Sequence, residues 1–306
     1  MAHYLDPKND LTFKRVFGEH KHLCMSLLNS MLPLERPIVS IEYQTGELIP
    51  ELVDILRHSI VDVRCTDEEG RQFIVEMQMY WTESFKSRML FNASKAYVKQ
   101  LNKAGEIKLL RPVYALCFVN ETFEKSPEMR DEYYHHYKIV NIKDTEKQIE
   151  GLEFVFIELP KFKPQNRAEK KLHELWLRFL TEINERTEEA PKELMENEEI
   201  REAIGYMEIS AYTKEQLFTY DKWLVDILTE RSIISDALRK GEAMGLEKGE
   251  AIGLKKGEAI GLEKGEAKNL KKVIINGLRA GLSEEILSTV TGLTPEEVMK
   301  IIEEEK

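Results

Sequence analysis

Apolar and polar residues alternate in six stretches of the first half of the chain: Ile38–Gln44, Ser59–Thr66, Arg71–Met79, Val113–Val119, Tyr133–Ile142 and Leu152–Leu159. Alternation of this kind, bounded by turn material, predicts β-strands. Between the third and fourth lies Glu83–Gly105, where Leu90, Phe91, Tyr97, Val98 and Leu101 recur at helical spacing and Gly105 marks an end. A helix therefore interrupts the strands, with Leu90, Tyr97 and Leu101 as its expected packing face. From Arg167 onward the strand pattern stops. Lys171–Glu185, Glu199–Ser210 and Glu215–Glu230 carry helical periodicity, which predicts a helical extension rather than a second α/β domain.

The end of the chain has patterns of its own. The octapeptides GEAMGLEK, GEAIGLKK, GEAIGLEK and GEAKNLKK follow one another from Gly241 to Lys272, with a glycine at every fourth position from 241 to 265. Each glycine costs a helix about 1 kcal/mol relative to alanine, so the repeat reads either as a helical rod that self-associates or as a loose spacer. Ser283–Ile302 reads helix, turn, helix: Ser283 and Thr294-Pro295 open the helices, Gly292 makes the turn, and Val298 is a buried aliphatic. Its second helix, TPEEVMKIIEEEK, is rich in glutamate, which favours a structural hairpin over one that reads DNA. The expected divisions are 1–165, an α/β core; 166–235, helical; 236–272, the repeat; and 273–306, the hairpin.

Composition narrows the class. Of the 306 residues 42% are hydrophobic, enough to fold. No apolar run of membrane-spanning length occurs, and the amino terminus lacks the layout of a secretory signal. Cys24, Cys65 and Cys117 lie far apart among apolar neighbours, as expected of core thiols in a reducing compartment. A soluble, cytoplasmic protein with no membrane partner is the expectation. The net charge of -11 argues against nonspecific coating of nucleic acid, but the acidity is uneven. Residues 1–165 carry 22 basic and 25 acidic side chains, against 22 and 30 in the remainder. Between Lys86 and Arg111 seven basic residues face the single acid Glu106, and on a helix Arg88, Lys95, Lys99 and Lys103 share a side. That side is either an ordinary solvated face or a grip on phosphate.

Candidate chemistry sits on SIVDVRCT (59–66), the turn DEEG and RQFIVEMQM (71–79), which together predict a β-hairpin. Alternation puts Val61, Val63 and Cys65 on one side with Phe73, Val75 and Met77. Asp62 then shares the other side with Glu76 and Gln78. Two converging carboxylates suit a hard divalent ion such as magnesium or manganese, which can polarise a phosphodiester and lower the pKa of a bound water. An amide cannot serve as a base near neutral pH, but Gln78 can orient water or donate to phosphate. The competing reading is a solvated strand face with incidental acids.

The opening YLDPKNDLTFKRVFG, this hairpin, the following YWTESFKSRMLFNASKAYVKQL, the phrase FVFIELPKFK and the glycine repeats together resemble the recombination-promoting nuclease/transposase (Rpn) family of the PD-(D/E)xK nuclease superfamily. The resemblance runs from Asp6 to about Lys272. It implies an α/β restriction-endonuclease-like core, a mixed sheet flanked by helices, followed by an all-α extension, and Mg²⁺-dependent cleavage of DNA, with Mn²⁺ able to substitute. In that pattern Asp62 and Glu76 are the metal-binding acids, and Gln78 stands where the superfamily's lysine would be. Asp10, four residues before Lys14, is either half of a helical ion pair or a further acid beside the metal, with Lys14 near phosphate; Arg88 and Tyr97 match polar positions of the family. A core that binds DNA without cutting it, and an oligomer held by the glycine repeat, are the alternatives. His135 and His136 point to opposite faces if on a strand, His20 and His22 read as surface residues, and no nucleotide-binding glycine loop is present.

Overall fold

The computed structural model describes residues 4–44, 63–101, 107, 110–164 and 171–304. Asp62 and Lys103 lie outside the described residues, as do 59–62 of the expected second strand and the end of the expected Glu83–Gly105 helix. Two compact units divide the chain, Met1–Ile227 and Leu228–Lys306.

In the first unit α1 (Asp10–Phe13) runs into a single π-helical turn (Lys14–Gly18) and is followed by α2 (Lys21–Met31). Then come β1 (Ile41–Tyr43), β2 (Val63–Asp67), β3 (Gln72–Gln78), α3 (Phe85–Lys99), β4 (Val113–Val119), β5 (Tyr134–Asn141) and β6 (Asp144–Glu158). Three helices complete it, α4 (Leu172–Glu182), α5 (Lys192–Met195) and α6 (Glu198–Gly205), before α7 (Lys214–Arg279) begins. The strands form one sheet in the order β1-β2-β3-β4-β6-β5. β1, β2 and β3 pair antiparallel, β3, β4 and β6 parallel, and β5 antiparallel to β6. The expected mixed sheet flanked by helices is therefore what forms.

Its two faces bury different partners. Val63, Cys65, Phe73, Val75, Leu116 and Phe118 meet Phe13 and Phe17 of the first helical segment, Leu23 and Leu27 of α2, and Trp176 and Phe179 of α4. On the opposite face Ile74, Val113, Ala115, Cys117 and Phe156 meet Phe85, Met89, Ala93 and Ala96 of α3. β4 is consequently apolar on both sides, as a parallel strand covered twice must be. Helices α4, α5 and α6 add Trp176, Phe179, Leu194, Ile200 and Ile204 to the first of these cores.

One packing expectation is met only in part. Of Leu90, Tyr97 and Leu101, Leu90 is half exposed while Tyr97 packs against the second core and Leu101 is half-buried; Phe91 and Val98 are half or more exposed, and the fully buried face of α3 is Phe85, Met89, Asn92, Ala93 and Ala96. Large side chains fill this face at Phe85 and Met89 and small ones at Ala93 and Ala96. Tyr97 lies against Gly151, where an added Cβ would come within 3.4 Å of its ring. All three cysteines are buried and free, and Cys24 and Cys65 share the first core, where the neighbouring Cys65 thiol and burial together raise the pKa of Cys24 well above its ordinary value.

In the second unit the octapeptide repeat lies within α7, which is helical throughout. α8 (Glu284–Thr291) and α9 (Pro295–Glu303) follow as the expected hairpin. Ser283 caps α8, Gly292 takes the left-handed conformation (φ 71°) at the turn, and Thr294 with Glu297 forms a capping box on α9. Ile274, Leu287 and Val298 form a small buried core. Among the described residues no helix is long and apolar enough to cross a membrane.

Candidate active site on strand β3 and helix α3

Strand β3 carries Glu76 and Gln78 on the face it presents to α3, the face of Ile74. Alternation and the antiparallel register Val63↔Val75 and Arg64↔Ile74 make this assignment unambiguous. Glu76 is 3% exposed. Its Oε1 accepts a hydrogen bond from Arg88 Nη2 at 3.0 Å, and the same Nη2 donates to Gln78 Oε1 at 2.6 Å. The other end of the Gln78 amide donates to the Tyr80 carbonyl at 2.7 Å, which fixes its orientation. Arg88 leans its guanidinium over the Phe85 ring, 4.9 Å from the centroid.

Burial raises the pKa of Glu76 above the ordinary glutamate range, against the opposing pull of Arg88 and then Arg64. The same burial lowers the pKa of Arg64, which the Glu76 charge partly offsets. Glu76 Oε2 and Arg88 Nε are buried with no hydrogen-bond partner among the described residues, and so is Nδ2 of Asn92, one turn further along α3. Buried polar atoms without partners are uncommon in native proteins, and each calls for a reason.

The expected site residues thus separate into groups. Glu76, Gln78 and Arg88 come together. Asp62 directly precedes Val63 in the chain but lies outside the described residues, as does Lys103. Lys95 and Lys99 follow Arg88 at seven and eleven residues, on the same flank of α3. Asp10 and Lys14 bond to each other at 2.6 Å, with the Asp10 side chain about half exposed, and neither is hydrogen-bonded to Glu76, Gln78 or Arg88. The helix that carries Asp10 buries Phe13 on the opposite face of the sheet.

His135 is buried with its Nε2 2.8 Å from Glu158 Oε1, while His136 turns outward to Glu153, also at 2.8 Å. His20 stacks on Tyr206, and His22 meets Glu202 at 2.9 Å. No group of three or more metal-ligating side chains occurs among the described residues. The Arg88 bridge and the buried Asn92 had not been anticipated. The signal for Asn92 was available, as a polar residue three before Lys95 on a face that otherwise reads Met89, Ala93, Ala96.

A mixed α/β sheet with helices on both faces, bearing an acid two residues before an amide on a central strand, has the frame of the PD-(D/E)XK nucleases. The sequence profile described as PD-(D/E)XK nuclease family transposase matches residues 7–237. The chain belongs to that family. No curated protein and no solved structure matches it significantly.

Proposed function

We propose that this protein is a magnesium-dependent endonuclease that hydrolyses phosphodiester bonds in DNA, with Asp62 and Glu76 holding the metal. The observation that carries the reading is Glu76: a carboxylate buried at the family's acidic position, with one oxygen bonded to Arg88 and the other left without a partner among the described residues. A carboxylate so placed fits a hard divalent cation, which would supply the missing partner and offset the cost of burying the charge. When bound, such an ion polarises the phosphate and lowers the pKa of a coordinated water. Asp62 is tied by the chain to Val63, whose partner across the ladder is Val75, the neighbour of Glu76.

The protein's own groups do the rest. Gln78 retains one unused lone pair and one unused N–H beyond its bonds to Arg88 and Tyr80, enough to hold a water or a phosphate oxygen. Attack by water forms one P–O bond as the ester P–O bond breaks, and the proton leaves to solvent or to the phosphate, since neither an amide nor a guanidinium accepts it. Lys95, Lys99 and Lys103 supply backbone contacts along α3. The resemblance adds Asp10 as a further ligand and Lys14 as a phosphate contact.

The test is cleavage of supercoiled plasmid in 10 mM Mg²⁺ or Mn²⁺ by the full chain, with Asp62→Ala, Glu76→Gln and Asp10→Ala variants beside it. Nicking by the wild type, abolished in the first two variants, is the expected result. Equal nicking by all of the proteins would overturn the assignment of Asp62 and Glu76, and plasmid binding with no cleavage under any divalent ion would replace this reading with that of a DNA-binding module.

A further inference from the structure

We propose that Arg88 supplies from helix α3 the positive charge that position 78 lacks, bridging Glu76 and Gln78 in the resting protein and donating to a non-bridging oxygen of the scissile phosphate when DNA is bound. This rests on the hydrolytic reading above and assigns a residue within it.

The need follows from charge. A phosphodiester gains negative charge on its oxygens as water attacks, and a neutral amide at 78 stabilises that charge less than a cation would. The sheet face that carries Glu76 and Gln78 is covered by α3, and the cation that α3 brings to both is Arg88, at 3.0 and 2.6 Å. Arg64 shares the face but makes no hydrogen bond to either side chain. The Arg88 side chain is 19% exposed, so it spans from the buried acid to the surface. A guanidinium stays protonated and presents a planar fork that matches two phosphate oxygens, which suits it to this task and excludes it as a base.

The satisfaction pattern separates this role from that of a plain structural bridge. A structural ion pair is retained when its remaining donors and acceptors find partners. Here, among the described residues, the acid has an unpartnered oxygen and the arginine an unpartnered Nε–H, both buried. Among the described residues the pair is one partner short on each side: an acceptor on the acid, which suits a cation, and a donor on the arginine, which suits an anion. The spacing of Arg88, Lys95 and Lys99 on one flank of α3 aligns this donor with the side chains proposed to contact the DNA backbone.

The experiment uses the full chain with Arg88→Gln, Arg88→Lys, Gln78→Lys and the double variant Arg88→Gln/Gln78→Lys, read by plasmid cleavage, by calorimetric titration with Mn²⁺ in the absence of DNA, and by melting temperature. Arg88→Gln should lower the cleavage rate at least 100-fold and, with the competing cation gone, bind Mn²⁺ at least fivefold more tightly. Arg88→Lys should stay within about tenfold of the wild-type rate, and the lysine at 78 should restore the double variant to a similar level. An Arg88→Gln protein that cleaves within threefold of wild type with unchanged Mn²⁺ affinity overturns the assignment. So does a double variant no more active than Arg88→Gln, or a loss in Arg88→Gln and Arg88→Lys that tracks their melting temperatures alone. Wild-type protein that neither cleaves nor binds Mn²⁺ would instead overturn the hydrolytic reading and this assignment with it.

Discussion

A metal held by Glu76 has to be visible in the stability of the folded chain, because an ion that binds the native state and not the unfolded one raises stability by RT ln(1 + [L]/Kd). For a carboxylate pair with a dissociation constant of about 1 mM, 10 mM Mg²⁺ or Mn²⁺ contributes about 1.4 kcal/mol. In a unit of the size of Met1–Ile227 each kcal/mol moves the midpoint by about 2 to 4 °C, so the expected rise is about 3 to 6 °C. Glu76→Gln keeps the shape of the side chain and an acceptor for Arg88 but removes the charge. If affinity falls about tenfold, the same formula leaves about 0.4 kcal/mol, a rise of under about 2 °C.

The assay is thermal melting of the first unit's transition in Mg²⁺, in Mn²⁺ and in EDTA, with ionic strength matched by KCl to remove general screening. Protons compete with metal for the same oxygens. Because burial holds the Glu76 pKa above its usual range, the metal-dependent rise should shrink at a higher pH than an ordinary glutamate would give. A rise of equal size in wild type and Glu76→Gln, or one reproduced by KCl, would refute the argument that Glu76 is the ligand.

Two further expectations concern stability alone. A Cβ at Gly277 would sit 2.4 Å from Leu287 Cδ2, in the small core with Ile274 and Val298, whereas one at Gly249 would meet nothing within 4 Å. Gly249→Ala should therefore stabilise the second unit by up to about 1 kcal/mol, while in Gly277→Ala the helix gain is outweighed by about 1 to 3 kcal/mol of overpacking; hydrogen exchange at Ile274 and Val298 reads the opposite signs, and protection raised by both variants would refute the packing. Burial pushes the Tyr134 and Tyr212 hydroxyls up to about 12. Each folded-state pKa lies above the unfolded value near 10, so this contribution to stability is complete below pH 10 and is lost between about pH 10 and 12. Denaturant midpoints should fall across that window as 295 nm absorbance reports tyrosinate, and a midpoint constant from pH 9 to 11 would contradict it.

The strands were legible because alternation allows only two face assignments, and burial selects one. Val113–Val119 forms a strand over that same span, and Glu76 and Gln78 lie opposite Phe73 and Val75 as the alternation requires. Helix α2 was missed although Leu23, Cys24, Leu27, Leu28 and Met31 recur at helical spacing, because a single short helix between strand signals leaves little pattern to average. The inward face of α3 was legible only in part. Hydrophobicity marks Leu90 as core with Tyr97 and Leu101, but Leu90 is half exposed, and Phe85, Met89, Ala93 and Ala96 meet the sheet with Tyr97 beside them. The Arg88 bridge could not be read at all. It depends on the β3–α3 crossover bringing residue 88 back over residues 76 and 78, and a helical wheel drawn for α3 alone groups Arg88 with Lys95 and Lys99 without showing what their flank overlooks.

What distinguishes the β3–α3 contact from the rest of the first unit is how it fails to close its hydrogen bonds. Elsewhere the buried acids are accounted for: Glu158 takes hydrogen bonds from the Phe123 N–H and Lys161 and pairs with His135, and the buried Asp67 meets both the Arg71 side chain and its N–H, although Arg71 Nη2 is itself without a partner among the described residues. Among the described residues five buried side-chain atoms lack partners, and three of them belong to Glu76, Arg88 and Asn92. A low-dielectric site makes each such omission cost about 1 to 3 kcal/mol of stability. The same low dielectric strengthens any charge that later enters. A fold under selection for stability alone would fill this contact with apolar side chains, as it does one layer away at Ile74, Met89 and Ala93. Retaining a half-satisfied acid, arginine and amide there is intelligible when the absent partners are a cation on one side and a phosphate on the other.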